Sequence, residues 1–80
     1  MTKNELQEVY ENRNWSEYAE DEIIGILDKL DDKDEDTIVD RYIKSVIKGL
    51  KKEIAEQSKY PEYVKKLSQA VNELESLLKV

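Results

Sequence analysis

Between Thr37 and Glu56 the apolar residues return every three or four positions: Ile38, Val39, Tyr42, Ile43, Val46, Ile47, Leu50 and Ile54. At 100° per residue this set covers about half the circumference of a helix. A helix apolar over that width must meet more than one neighbour, so this stretch is the predicted centre of the fold. Its opposite face carries Arg41, Lys44, Lys48, Lys51 and Lys52.

The rest of the chain supplies the neighbours. Tyr63, Val64, Leu67, Ala70, Val71, Leu74, Leu77 and Leu78 form a stripe of alternating three- and four-residue steps, the pattern of a bundle seam. Pro61 suits the first position of that last helix, because its missing amide would have no partner there. Tyr60, preceding the proline, is biased away from helical geometry and predicts a break near Gln57–Lys59. A second helix is expected from about Glu17 to Leu30, with Ala19, Ile23, Ile26, Leu27 and Leu30 on one face and Ile24 at its margin. A short first helix from Lys3 to Glu11 opens on Thr2-Lys3-Asn4-Glu5, which has the form of a capping box. It offers only Leu6, Val9 and Tyr10, too little to hold a helix of that length alone in water.

Asn12 to Ser16 reads as a break with Asn14 or Ser16 as the next cap, the alternative being one helix from Lys3 to Leu30. Asp31 to Asp36 is a loop by composition, and Asp36 or Thr37 caps the central helix. Short connections return consecutive helices against each other. The predicted fold is therefore all-α, a small antiparallel three- or four-helix bundle with a short first helix, forming one domain over residues 1–80. Gly25 and Gly49 lie inside predicted helices, where each costs about 1 kcal/mol against Ala. Close approach of two helices would account for such a cost, and at least one of the two is expected near a helix crossing.

Composition then removes most chemistry. With no Cys and no His in 80 residues, thiolate nucleophiles, sulfur-ligated zinc, imidazole bases and imidazole metal ligands are all absent. No phosphate-binding glycine loop or dinucleotide fingerprint is present. The abundant carboxylates fall on predicted helix exteriors or in an open loop, where nothing shifts their pKa toward a catalytic value. Neither an enzyme nor a cofactor is expected. Asp32, Asp34, Asp36 and Asp40 take positions one, three, five and nine of a calcium loop, but Thr37 stands at its obligatory glycine and Ile43 at its bidentate glutamate. A solvated acidic turn is the expectation there, and no metal site. The polar first residues lack a signal-peptide core, and no run reaches the roughly 18 apolar residues that span a bilayer, so a cytoplasmic protein is expected.

Charge is the feature that points to function. Residues 1 to 40 hold fourteen acidic side chains against four basic, a balance of -10, whereas residues 41 to 80 hold nine basic against five acidic, a balance of +4. One consequence would be mutual neutralisation across helix faces within the bundle. The other is an acidic docking surface for a protein with a basic or mixed basic and apolar surface, where a clustered field speeds association. Trp15, Tyr10 and Tyr18 lie inside the acidic half, and aromatic side chains are enriched at interfaces. Trp15 beside a turn also suits a plug over the core end, and the five tyrosines suit the bundle's margins. The candidate contact set is Tyr10, Trp15, Glu17, Tyr18, Glu20, Asp21 and Glu22, with Asp31 to Asp36 as electrostatic rim. Direct nucleic-acid binding would have to use Lys44, Lys48, Lys51 and Lys52, against an overall charge of -6 and without a recognition motif. The reverse, carboxylates of residues 17 to 36 standing in for a phosphate backbone, makes a DNA-mimic inhibitor the alternative. Self-association through the residue 63 to 78 stripe is expected only if the first helix leaves it uncovered.

Ile47-Lys48-Gly49-Leu50-Lys51-Lys52-Glu53-Ile54, followed after a polar turn by Pro61-Glu62-Tyr63-Val64-Lys65-Lys66-Leu67, pairs a Lys-rich amphipathic helix with a Pro-Glu turn and a second amphipathic helix. From about Glu22 to the end this layout resembles the immunity proteins that protect bacteria from pediocin-like bacteriocins such as enterocin A. The resemblance implies a small antiparallel helical bundle and a protective role against a bacteriocin. It assigns no site residues. Taken together, the sequence predicts a small bacterial or phage regulator that works by binding, and modulating or inhibiting, another protein.

Overall fold

The computed structural model describes every residue except Asp32, Asp34, Glu35, Lys79 and Val80, with the backbone alone at Asp36. Four helices follow one another: α1 (Lys3–Asn12), α2 (Glu17–Lys29), α3 (Asp36–Glu56) and α4 (Pro61–Ser76). Among the described residues there is no strand. The fold is the small all-helical bundle expected, in its four-helix form, and the chain breaks between α1 and α2 rather than running as one helix. The calcium-type alignment rests on Asp32, Asp34 and Asp36 and lies outside the described side chains. α3 already includes Asp36 and Thr37, so neither stands before the helix as the expected cap, and the residue preceding Asp36 is not described.

All four helices bury residues in one cluster. Leu6 comes from α1; Ala19, Ile23 and Ile26 from α2; Val39, Ile43, Ile47 and Leu50 from α3; Leu67, Ala70, Val71 and Leu74 from α4; Leu30 and Leu77 close it from the helix ends. Among the described residues no charged or polar side chain is buried with them. The stabilisation is therefore hydrophobic, about 25 cal/mol for each Å² of apolar surface removed from water. α3 and α4 share the largest interface and α4 also packs on α2. Of the 63 to 78 stripe, Leu67, Ala70, Val71, Leu74 and Leu77 lie inside the core, whereas Tyr63, Val64 and Leu78 are half-buried at its margin.

Local chemistry explains the helix ends. The Thr2 hydroxyl accepts the Glu5 backbone N–H at 3.2 Å and donates to the Glu5 carboxylate at 3.2 Å, so the capping box engages through that hydroxyl. Its short helix stays docked because Leu6 is fully buried and Met1, Val9 and Tyr10 pack against the core. α3 gives way to α4 through Tyr60, whose N–H donates to the Gln57 carbonyl at 3.0 Å, and Pro61 opens α4. The Tyr63 hydroxyl then donates to the Glu53 carboxylate at 2.5 Å, tying the two helices beside their turn.

The glycine expectation is not met. A methyl group added at Gly25 or at Gly49 would have no heavy atom within 4 Å, so neither lies at a close helix crossing. Both sit in α-helices with negative φ, and neither a turn nor a tight contact requires them.

Candidate protein-binding surface on the second helix

Apart from Lys29 at its end, the exposed positions of α2 repeat at helical spacing: Glu17, Glu20, Asp21, Ile24 and Asp28. Ile24 is 40% exposed, one of two large apolar side chains left at the surface among the described residues. On a helix, residues three and four positions away are neighbours, so Glu20, Asp21 and Asp28 surround Ile24. Among the described residues no Lys or Arg nitrogen lies within 4.0 Å of the carboxylates of Glu17, Glu20, Asp21 or Asp28. These carboxylates thus form no close ion pair with the basic half among the described residues. Glu17 and Glu20 stand in the first turn of α2, where the helix dipole favours them.

The structure divides the residues that the sequence grouped. Glu17, Glu20 and Asp21 point outward together. Tyr10 and Trp15 border them across a polar concavity of about 280 Å³ lined also by Glu11, Arg13, Asn14 and Glu20. Tyr10 is half-buried; its hydroxyl donates to Glu20 at 3.3 Å, and burial, followed by the Glu20 charge, raises its pKa above 10. The Trp15 indole N–H donates to the Tyr10 carbonyl at 3.1 Å, and the Arg13 guanidinium lies 4.3 Å from the Trp15 ring centroid. Trp15 therefore serves as the plug over the α1–α2 corner, with its donor and one ring face already engaged.

Tyr18 and Glu22 turn the other way. The Tyr18 ring meets Tyr63 of α4 edge-on, with centroids 5.7 Å apart and planes at 78°. Glu22 is half-buried, and its pKa is raised first by burial, with Asp21 and Glu53 adding to the shift and Lys29 opposing it. Helical phase explains the difference. Glu22 lies three residues after Ala19 and four before Ile26, both core positions, whereas Ile24 lies two residues on, about 200° round the helix, among the acids.

Two surface residues were passed over by sequence reasoning. Ile24 was placed at the margin of the core face; its spacing from Glu20, Asp21 and Asp28 was the available signal. Tyr60 was grouped with the tyrosines that close the bundle, yet it is 60% exposed in the α3–α4 turn. Its neighbours Lys59, Pro61 and Glu62 are themselves exposed.

The basic residues form a separate surface. Lys44, Lys48 and Lys51 of α3 rim a groove of about 380 Å³ against α4, lined further by Ile47, Glu75 and Leu78. Lys51 and Glu75 approach to 3.8 Å across it, both largely solvated, and such a pair contributes little to stability.

No family model, curated protein or solved structure matches this chain. The site therefore stands on its own geometry. Among the described residues there is no cluster of three or more potential metal ligands, and no helix is long and apolar enough to cross a membrane.

Proposed function

We propose that this chain is a small acidic, cytoplasmic protein-binding module that modulates or inhibits a partner protein, without catalysis and without a cofactor. The observation that carries the reading is the α2 carboxylate set, without a Lys or Arg partner among the described residues, arranged around exposed Ile24. An apolar centre with a charged rim is the arrangement of a protein interface: the centre supplies affinity through desolvation, and the rim sets approach rate and orientation. The partner has a basic or mixed basic and apolar surface. Tyr10 and the Trp15 corner border this contact, while Tyr18 packs α2 against Tyr63 of α4 and Glu22 is half-buried behind it.

The same arrangement argues against mimicry of DNA. From Glu17 to Asp28 four outward carboxylates spread over about 16 Å of helix, against one phosphate per 3.4 Å along a DNA strand. Ile24 occupies the place where a continuous row would need another charge. The helical pair α3 and α4 joined through Pro61 supports the alternative reading, a bacteriocin immunity protein, and that reading also calls for protein recognition.

The test is affinity capture from a lysate of a low-GC Gram-positive bacterium with tagged wild type, a Glu17, Glu20, Asp21, Asp28→Ala variant and Ile24→Ser, at low and high salt. One partner lost in the charge variant and weakened roughly tenfold or more by Ile24→Ser is expected. A partner held equally by all three proteins would remove α2 as the docking face.

A further inference from the structure

The α2 face and the α3–α4 groove match each other. On α2, Asp21, Ile24 and Asp28 place an apolar side chain between two carboxylates; on α3, Lys44, Ile47 and Lys51 place one between two ammonium groups. Asp21 to Asp28 and Lys44 to Lys51 each span seven residues, about 10.5 Å of helix rise. The donor surface is convex, with Ile24 protruding at 40% exposure. The receiving surface is concave, a groove of about 380 Å³ lined by half-buried Leu78 and by Ile47, which is 7% exposed, with the Glu75 carboxylate, 3.8 Å from Lys51, also in its lining. We infer that a second copy of this chain seats its α2 face in the α3–α4 groove, Ile24 against Ile47 and the carboxylates against Lys44, Lys48 and Lys51.

The two surfaces lie on different helices of the same chain. Such a contact is heterologous, so each copy in a pair still has one surface free and association proceeds head to tail unless a ring closes. Stable interfaces bury about 800 Å² per partner, about one seventh of the 5684 Å² surface of this chain, and two helical turns cover less. The net charge of -6 also repels copies at range. The contact is consequently weak, with a dissociation constant of about 10–1,000 µM. Its consequence is self-masking: at high local concentration the docking face is occupied by another copy and withheld from a partner.

The inference rests on α2 being a docking face, and its test uses purified protein alone. A monomeric result therefore removes the pairing without deciding lysate capture. Light scattering and sedimentation are run on wild type from about 10 µM to about 1 mM, the range in which such contacts form. Variant one carries Glu20→Lys, Asp21→Lys and Asp28→Lys; variant two carries Lys44→Glu and Lys48→Glu. A control carries Lys65→Glu and Lys66→Glu, exposed positions on α4 away from both surfaces. Circular dichroism confirms that each is folded, and Ile24→Ser, with no charge change, replaces either one that is not.

Wild type and control are expected to exceed 9.4 kDa as concentration rises. Each reversal variant alone stays at the monomer mass, their equimolar mixture associates, and Ile24→Ser weakens wild-type association at least tenfold. A wild type that is monomeric throughout overturns the inference. So does association that survives the groove reversal as well as it survives the control, or a mixture of the reversal variants that does not associate.

Discussion

The backbone N–H of Ser16 donates to the carboxylate of Glu73, fifty-seven residues later, at 3.2 Å to one oxygen and 3.3 Å to the other, and the Ser16 hydroxyl donates to the same carboxylate. Ser16 is the N-cap of α2 but its own side chain makes no capping bond to the helix. It engages α4 instead. Arg13 adds a bond to the Ser76 hydroxyl at 3.2 Å, and that hydroxyl donates to the Glu73 carbonyl at 2.5 Å. The start of α2, and with it the outward direction of Glu17, Glu20 and Asp21, is set by this corner.

Replacing Glu73 by Ala is expected to destabilise the protein by about 1.5–3 kcal/mol, the range for hydrogen bonds to a charged group. Ser16→Ala removes only the hydroxyl's bond to Glu73, keeps the backbone donor and should cost less, about 1 kcal/mol. The two effects should be non-additive in a double-mutant cycle read by urea unfolding. Additive losses would mean that the corner is not one unit.

Gly25→Ala and Gly49→Ala should each stabilise, by about 0.5–1 kcal/mol, because Ala lowers the backbone entropy lost on folding and its methyl group meets nothing within 4 Å. Thermal unfolding of the two variants checks this. A loss of stability at either position would show that an unfavourable contact exists where the structure leaves open space.

Glu22 gives the protein a pH dependence of defined sign. Its carboxyl pKa is raised in the folded chain above the usual 4.5, chiefly by burial. Its protonated form is thus the better tolerated one, so its contribution is most favourable below the unfolded pKa and is lost as pH rises through the folded value. Glu22→Gln should accordingly be more stable than wild type at neutral pH, with the difference shrinking as pH falls toward 4. Urea unfolding from pH 4 to pH 7 measures it, and a difference that grows toward low pH would reverse the assignment.

Tyr63 should ionise late. Its hydroxyl donates to Glu53 and is partly desolvated, which pushes its pKa from 10.0 up to about 12. In a spectrophotometric titration of the five tyrosines, one is expected to ionise near the alkaline end, and Tyr63→Phe should remove that step. If the step survives, another tyrosine carries it.

The helices were legible because their signals are local. Thr2 with Glu5, the break at Asn12 to Ser16, and Pro61 after Tyr60 act within one turn of chain, and the apolar spacing fixed which face each helix buries. The corner built by Ser16 and Glu73 was not legible, since nothing near Glu73 distinguishes it from any other glutamate on an amphipathic helix. The glycines misled for the same reason: a cost paid inside a helix says nothing about which neighbour passes by. Within the candidate surface, sequence proximity grouped Tyr18 and Glu22 with Glu17, Glu20 and Asp21, whereas helical phase separates them. That phase also places Ile24 among the acids.

The central claim is that the outer face of α2, centred on Ile24, is where a partner protein docks. Its most direct measurement is photo-crosslinking in cells that produce the protein, with a photoreactive residue at position 24 and, separately, at exposed Gln69 of α4. The account predicts a discrete protein adduct from position 24, diminished when Glu17, Glu20 and Asp21 are changed to Ala, and none from position 69. An adduct from position 69 and none from position 24 would contradict it.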